Sequence, residues 1–389
     1  MKINKIIWIL FIITVIFTLS TVNASDMNVA QVDNLSVDNE GYDNVLSDNP
    51  TDIYVDAVVG YDTNDGLAED SSLKTIKEGI SKAKDNDNIY LADGVYSGLK
   101  NTRLGIDKSL NFIGSKDTVI DGENENYIFN ITNGVKVTFK NIKFINAFKS
   151  PNSYYNTYMG PVYGAALSIN NSTVVVDNCS FIHNIGGHNN HAEDKVYGGA
   201  VSNFGNLTIL NSYFEDNTAL SASGMFSSGG SIYNKGELLI NNSVFNKAGR
   251  VDYVYGSGIA NYGNLIMDRS ILANFTNGGQ SKGAAIYNDG NFTLLNSIVE
   301  NNRVGTSNFA YGSVYNNGKL IVRGTIFRKN TAQYVANRMY KGSSVIYNVG
   351  DLNVVERVMV FLLMFTILEK YFVWITIGGA LMTTLLKIL

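Results

Sequence analysis

The feature that most limits how this chain can fold is a tandem repeat. A β-branched residue, one variable residue, Asn, another variable residue and Gly recur together. They stand as Val201-Ser202-Asn203-Phe204-Gly205, Ile232-Tyr233-Asn234-Lys235-Gly236 and Ile259-Ala260-Asn261-Tyr262-Gly263. They return as Ile286-Tyr287-Asn288-Asp289-Gly290, Val314-Tyr315-Asn316-Asn317-Gly318 and Ile346-Tyr347-Asn348-Val349-Gly350. Successive glycines are 31, 27, 27, 28 and 32 residues apart. A period of that length belongs to a solenoid, whose units bury apolar surface against their neighbours.

Each unit continues alike. Apolar residues alternate after the Gly, as Leu207/Ile209, Leu238/Ile240, Leu265/Met267, Phe292/Leu294 and Leu320/Val322. Period two means a strand with one buried face. A polar corner follows at Asn211-Ser212, Asn242-Ser243 and Asn296-Ser297, then a second apolar pair, from Tyr213-Phe214 to Ile326-Phe327. Short strands joined by polar corners read as coils stacked about 4.8 Å apart. Weaker coils lie upstream, one with Val174, Val176 and Phe181 and one with Val135, Val137, Phe139, Ile142 and Phe144. Ahead of them Leu73, Ile76, Ile80 and Ala83 share one face of a helix, with Ser71 or Ser72 as N-cap. That helix is expected to cap the column and hide the first strand's edge. The corner glycines are expected at positive φ, and the six asparagines as an axial amide ladder. The reading is all-β: a single right-handed parallel β-helix over residues 52–355 with a short N-terminal capping helix.

The flanks read differently. Lys2 and Lys5, the apolar run Ile6–Leu19 and the small residues before Ser25 make the three-part secretory pattern, so residues 1–24 are expected as a signal peptide. Residues 25–51, rich in Asp, Asn and Ser, are expected as a disordered spacer. From Glu356 the repeat pattern is lost. The apolar tail 356–389 is interrupted by Glu369-Lys370 and is awkward as a membrane span. Read out of frame, Val373–Ala380 can spell Asp-Tyr-Asn-Trp-Trp-Gly, so a frameshifted end is expected ahead of a membrane anchor. The net charge of −4 gives no bulk field for nucleic acid, and the single cysteine, Cys179, rules out an intrachain disulfide framework.

The stretches Ile53-Tyr54-Val55-Asp56, Asn64-Asp65-Gly66-Leu67 and Ile89–Tyr96 resemble the opening of pectate-lyase-like β-helix proteins. The repeats resemble those of polymorphic outer-membrane proteins, whose marks are Gly-Gly-Ala-Ile and Phe-x-x-Asn. They stand here as Gly198-Gly199-Ala200-Val201, Gly229-Gly230-Ser231-Ile232 and Gly283-Ala284-Ala285-Ile286, and as Phe181 to Asn184, Phe214 to Asn217 and Phe327 to Asn330. The whole looks most like the adhesin-like surface proteins of methanogenic archaea. That resemblance implies a secreted or cell-surface protein binding glycans or partner-cell surfaces, without catalysis. The alternative on the same fold is a polysaccharide lyase or glycoside hydrolase, but no carboxylates align on successive coils.

Three residue sets are candidates for binding. Tyr233, Tyr287, Tyr315 and Tyr347 neighbour inward residues, so they should point outward and stack; Tyr163, Tyr197, Tyr255 and Tyr311 precede each Gly-rich turn. The insertion holding Tyr154, Tyr155 and Tyr158 adds more. Exposed aromatic rows suit sugar rings or protein partners, although tyrosine also simply favours strands. His183, His188 and His191 share one loop that could hold zinc or nickel, with a plain polar loop as the alternative. Asp62, Asp65, Glu69 and Asp70 form an acidic loop that could take calcium, or be merely solvated. No other cofactor is expected. Sequons such as Asn206-Leu207-Thr208 and Asn291-Phe292-Thr293 would permit glycosylation in a secreted chain.

Overall fold

The computed structural model describes residues 50–150, 161–187, 195–220, 227–248, 254–277, 281–304, 311–332, 345–355 and 359–361. The expected signal peptide, most of the spacer and most of the apolar tail lie outside them. The chain divides into two units, Met1–Leu46, wholly outside the described residues, and Ser47–Leu389.

The second unit is a right-handed parallel β-solenoid. All described strand pairings are parallel and link one coil to the next. The register is the one the repeat demands: Asn203 pairs with Asn234, Asn234 with Asn261, Asn261 with Asn288, Asn288 with Asn316 and Asn316 with Asn348. Alternation places Leu207, Leu238, Leu265, Phe292 and Leu320 inside, each at most 3 % exposed. On the next face Phe144, Phe181, Phe214 and Phe245 stack ring on ring at 4.8, 4.6 and 4.5 Å. Burial of this continuous column is the main stabilising term.

Polar ladders run beside it. Asn203 Nδ2 donates to Asn234 Oδ1 at 2.7 Å, and the chain of amides continues through Asn261, Asn288 and Asn316 to Asn348. Each middle amide also donates to the carbonyl of the Gly two residues on, as Asn261 does to Gly263. The first five are fully buried, so the ladder satisfies groups that water cannot reach. A second ladder at the polar corner uses serine: the N–H of Ser212, Ser243 and Ser270 donates to the Oγ of Ser243, Ser270 and Ser297.

The corner glycines are a correction. Gly205, Gly236, Gly263, Gly290, Gly318 and Gly350 do not have positive φ. They are glycines because the coils touch there: a Cβ on Gly236 would lie 2.0 Å from the Gly205 carbonyl oxygen. The left-handed residues stand elsewhere. Gly198, Gly229, Gly256, Gly283 and Gly312 take positive φ at the turn before the repeat. At the second corner Asn141, Asn178, Asn211, Asn242 and Asn296 do the same, which short amide side chains tolerate.

The N-terminal helix, α1 (Ile76–Lys82), is capped by Thr75, whose Oγ1 accepts from Glu78 N, and not by Ser71 or Ser72. Leu73, Ile76 and Ala83 are buried as expected. Lys108 Nζ closes the other end by donating to the carbonyls of Ile80 and Ala83 at 2.6 and 2.7 Å. The first strand, β1 (Asp52–Val55), has its outer edge covered by the loop before α1. Tyr54 N donates to Gly66 O, Asp56 N to Leu73 O and Leu73 N back to Tyr54 O. Replacing Thr75 with Ala should cost about 1 kcal/mol, read as a lower urea midpoint, because it removes the cap and one bond to Asp62 together.

At the far end, pairing extends past the expected boundary at Val355: Met359–Phe361 pairs with Ile326–Arg328 without an Asn-Ser corner before it.

Candidate functional site

Among the described residues the outer surface carries an organised aromatic strip of three columns. The first column is the end of the short strand before each Gly turn. There Tyr163, Tyr197, Ser228 and Tyr255 follow one another in register, and Tyr255 bridges to Lys282. The middle column is the residue before the ladder Asn, namely Ser202, Tyr233, Ala260, Tyr287, Tyr315 and Tyr347. The third is the variable residue before the corner Gly, including Phe204, Lys235, Tyr262 and Asp289. Solenoid register forces like positions into columns, so residues about thirty apart in sequence become neighbours.

The rings form one connected path. Tyr163 stacks on Tyr197 at 5.4 Å, Tyr197 meets Tyr233 at 4.7 Å, and Tyr233 meets Tyr262 at 5.3 Å. Tyr262 then meets Tyr287 at 5.5 Å, Tyr287 stacks on Tyr315 at 5.4 Å, and Tyr315 on Tyr347 at 5.5 Å. Rings from the flanking columns lean over the middle one, so the expectation that Tyr233, Tyr287 and Tyr315 are exposed is corrected. They stack, but are only 7 %, 6 % and 6 % exposed. They form the inner layer of the strip. Its accessible flanks are the half-buried Tyr163, Tyr197, Tyr255, Tyr262 and Tyr311.

Burial sets the chemistry of these hydroxyls. It pushes Tyr262 up to about 12, partly offset by the hydrogen bond with Ser228. Burial, with neighbouring tyrosines adding to it, raises Tyr233 and Tyr287 further. All three stay protonated, and so able to donate, at any ordinary pH. One cation sits against the rings themselves: Lys282 Nζ lies 5.3, 6.0 and 5.1 Å from the ring centres of Tyr255, Tyr311 and Tyr315 among the described residues.

The other expected sites are less well formed. Tyr154, Tyr155, Tyr158, His188 and His191 lie outside the described residues. His183 faces Asp216, with Nδ1 to Oδ2 3.6 Å, and Lys247 Nζ approaches the same oxygen at 3.1 Å. Asn184 is a ladder residue rather than part of the histidine loop, since its amide donates to Asn217 Oδ1 at 2.9 Å. The acidic loop is not assembled for calcium. Asp62 is used internally: it accepts from Thr75 N, Thr75 Oγ1 and Lys100 Nζ at 2.9, 3.0 and 3.1 Å. Partial burial pushes its pKa up, but these bonds outweigh it and hold the carboxyl below the usual range. Asp65 instead accepts from Ser71 Oγ and Leu67 N. Among the described residues no group of three His, Cys, Asp or Glu side chains could hold a metal ion.

Three residues were not legible as site residues. Phe204 and Tyr262 sit at a repeat position occupied elsewhere by Lys, Asp or Asn, and Lys282 replaces a tyrosine. Lys149 is a fourth residue of interest. Burial pushes its pKa down to about 8, and its ammonium lies 5.0 Å from the Tyr127 ring centre.

No protein family matches the sequence, and no curated protein matches it. Solved structures match the fold at low identity. A pectate lyase is 12 % identical with a TM-score of 0.47, over 80 % of this chain and 75 % of that one. A rhamnogalacturonan lyase is 13 % identical with a TM-score of 0.35, over 78 % and 87 %. A lacto-N-biosidase from Eubacterium ramulus is 11 % identical with a TM-score of 0.30, over 78 % and 68 %.

Proposed function

We propose that this chain, whose fold alone does not fix an activity, is an adhesin-like protein working outside the cell, holding an extended glycan along the aromatic strip. The observation that carries this reading is the ring-to-ring path from Tyr163 to Tyr347. It spans six coil-to-coil steps, about 29 Å at 4.8 Å each, enough for several sugar units. Because the rings stack on one another, they offer their edges and protonated hydroxyls to sugar oxygens. The N-terminal secretory pattern supports the location.

The test is binding of immobilised polysaccharides. Changing Tyr197 and Tyr255 together to Ala should weaken binding about thirtyfold, a loss in keeping with about 1 kcal/mol per aromatic contact, with circular dichroism unchanged. Equal binding by the variant would refute the strip. The same reactions report on catalysis. A second reading, a polysaccharide lyase, would use Lys149, whose pKa burial lowers to about 8 and which lies beside the Tyr127 ring, as its base. That reading requires unsaturated sugars to be released by the native protein and not by Lys149→Met. No release would sink it.

A further inference from the structure

Lys282 breaks the aromatic column in a particular way. It occupies the position held by Tyr163, Tyr197, Tyr255 and Tyr311 in other coils, between the last two of these. Its ammonium lies near three ring faces, which replace part of its hydration. Lysine ammonium is strongly hydrated and on a flexible stem, so it would ordinarily swing to water. Here the stem is half-buried, and no carboxylate among the described residues pairs with it. Across the middle column, in the same coil, stands Asp289. Its charge bears on the hydroxyls of Tyr262, Tyr287 and Tyr315, and its carboxylate is held by Asn317 Nδ2 at 2.6 Å. One coil of the strip therefore carries a cation on one flanking column and an anion on the other, with Tyr287 between them.

That arrangement selects among glycans. A neutral chain gains only hydrogen bonds from Lys282. A chain with one acidic group can place it against the caged ammonium, where low local polarity strengthens the attraction. A chain with a charge on every sugar must also bring a negative group towards Asp289. We infer that the strip reads an isolated anionic group, carboxylate or sulfate, set among otherwise neutral sugars, with Lys282 as its contact and Asp289 as the element excluding densely charged chains. The inference rests on the glycan reading of the strip.

Calorimetry with four hexasaccharides tests it. The probes are chitohexaose, which is neutral; chitohexaose bearing one sulfate; a hyaluronan hexasaccharide, with acidic and neutral sugars alternating; and hexagalacturonate, charged throughout. The native protein should bind the hyaluronan or the monosulfated probe at least tenfold more tightly than chitohexaose, the better of the two naming the anion. Lys282→Met keeps the stem and loses the charge. It should erase that preference, and Lys282→Arg should retain it. Asp289→Asn should improve hexagalacturonate most. An unchanged preference in Lys282→Met overturns the inference, as does tightest native binding to hexagalacturonate. Chitohexaose binding that is lost in the Tyr197 and Tyr255 variant, with no gain for either sparsely charged probe, leaves the strip standing and removes the role of Lys282. No binding of any probe removes both.

Discussion

Gly263→Ala should destabilise the solenoid by about 3 kcal/mol, the upper range for forcing volume into a packed site. The added carbon would stand 2.2 Å from the Gly236 carbonyl oxygen and 2.8 Å from the Lys235 carbonyl carbon. Both are backbone atoms and cannot rotate away. Relief would require the coils to part, which stretches the strand pairing of Glu237–Asn241 with Asn264–Asp268 and the Asn234–Asn261 amide bond. A positive-φ requirement predicts something smaller, about 1–2 kcal/mol, so the size of the loss separates the two explanations. Gly105→Ala is the control. Nothing lies within 4 Å of its added carbon, its φ is not positive, and stability should change little. Urea unfolding followed by circular dichroism measures both, and a midpoint for Gly263→Ala equal to that of Gly105→Ala would disprove the contact argument.

The second large effect is expected at Asn261. Replacing it with Ala removes the acceptor of Asn234 Nδ2 and the donor to Asn288 Oδ1, along with donation to the carbonyls of Gly263 and Asn291. These groups are buried, so the cost should be about 2–4 kcal/mol, an unsatisfied group being worth about 1–3 and a small cavity adding to it. Asn348 sits at the exposed end of the ladder, and its replacement by Ala should cost well under 1 kcal/mol, as at other surface sites. Asn261→Asp gives a further signature. A carboxyl there must stay protonated in the folded state, so its folded pKa is raised. The variant should then be most stable below the ordinary carboxyl range, about pH 4, and lose stability as pH rises through it. Thermal scans at pH 3.5 and 7 in which Asn261→Asp shows the same difference as native protein would count against a dry, continuous ladder.

These two residues also show what the sequence could and could not reveal. The Asn column was readable because one residue type returns at one register, and stacking follows from the period alone. The glycine in the same motif was readable as obligatory, yet its reason was not: a turn needing positive φ and a contact needing no side chain both select Gly. The helix cap was missed because Ser71, Ser72 and Thr75 all offer hydroxyls, and only the path of the loop decides which reaches Glu78 N. The aromatic strip was half legible. Alternation shows that Tyr233 and Tyr287 point away from the core, but their shading by Tyr197, Tyr255 and Tyr262 depends on how sharply the chain turns at Gly198, Gly229 and Gly256. Phe204 and Tyr262 were hidden because their column is chemically mixed. The Phe-x-x-Asn mark proved to be a third internal ladder. Asn184 bonds to Asn217 and Asn302 to Asn330, with Ala248 following Asn217 in register.

The uniform register has a consequence for how such a chain can change over generations. The segments from Gly236 to Gly263 and from Gly263 to Gly290 have the same length, 27 residues, and meet their neighbours through the same pairings. An in-frame duplication or loss of one such segment joins surfaces that already fit. It would lengthen or shorten the molecule by about 4.8 Å and require no compensating substitution in the interior. Recombination between copies can therefore alter the reach of the outer surface in whole steps, while point changes in the three outer columns alter what that surface prefers. Size and selectivity are inherited as separate variables.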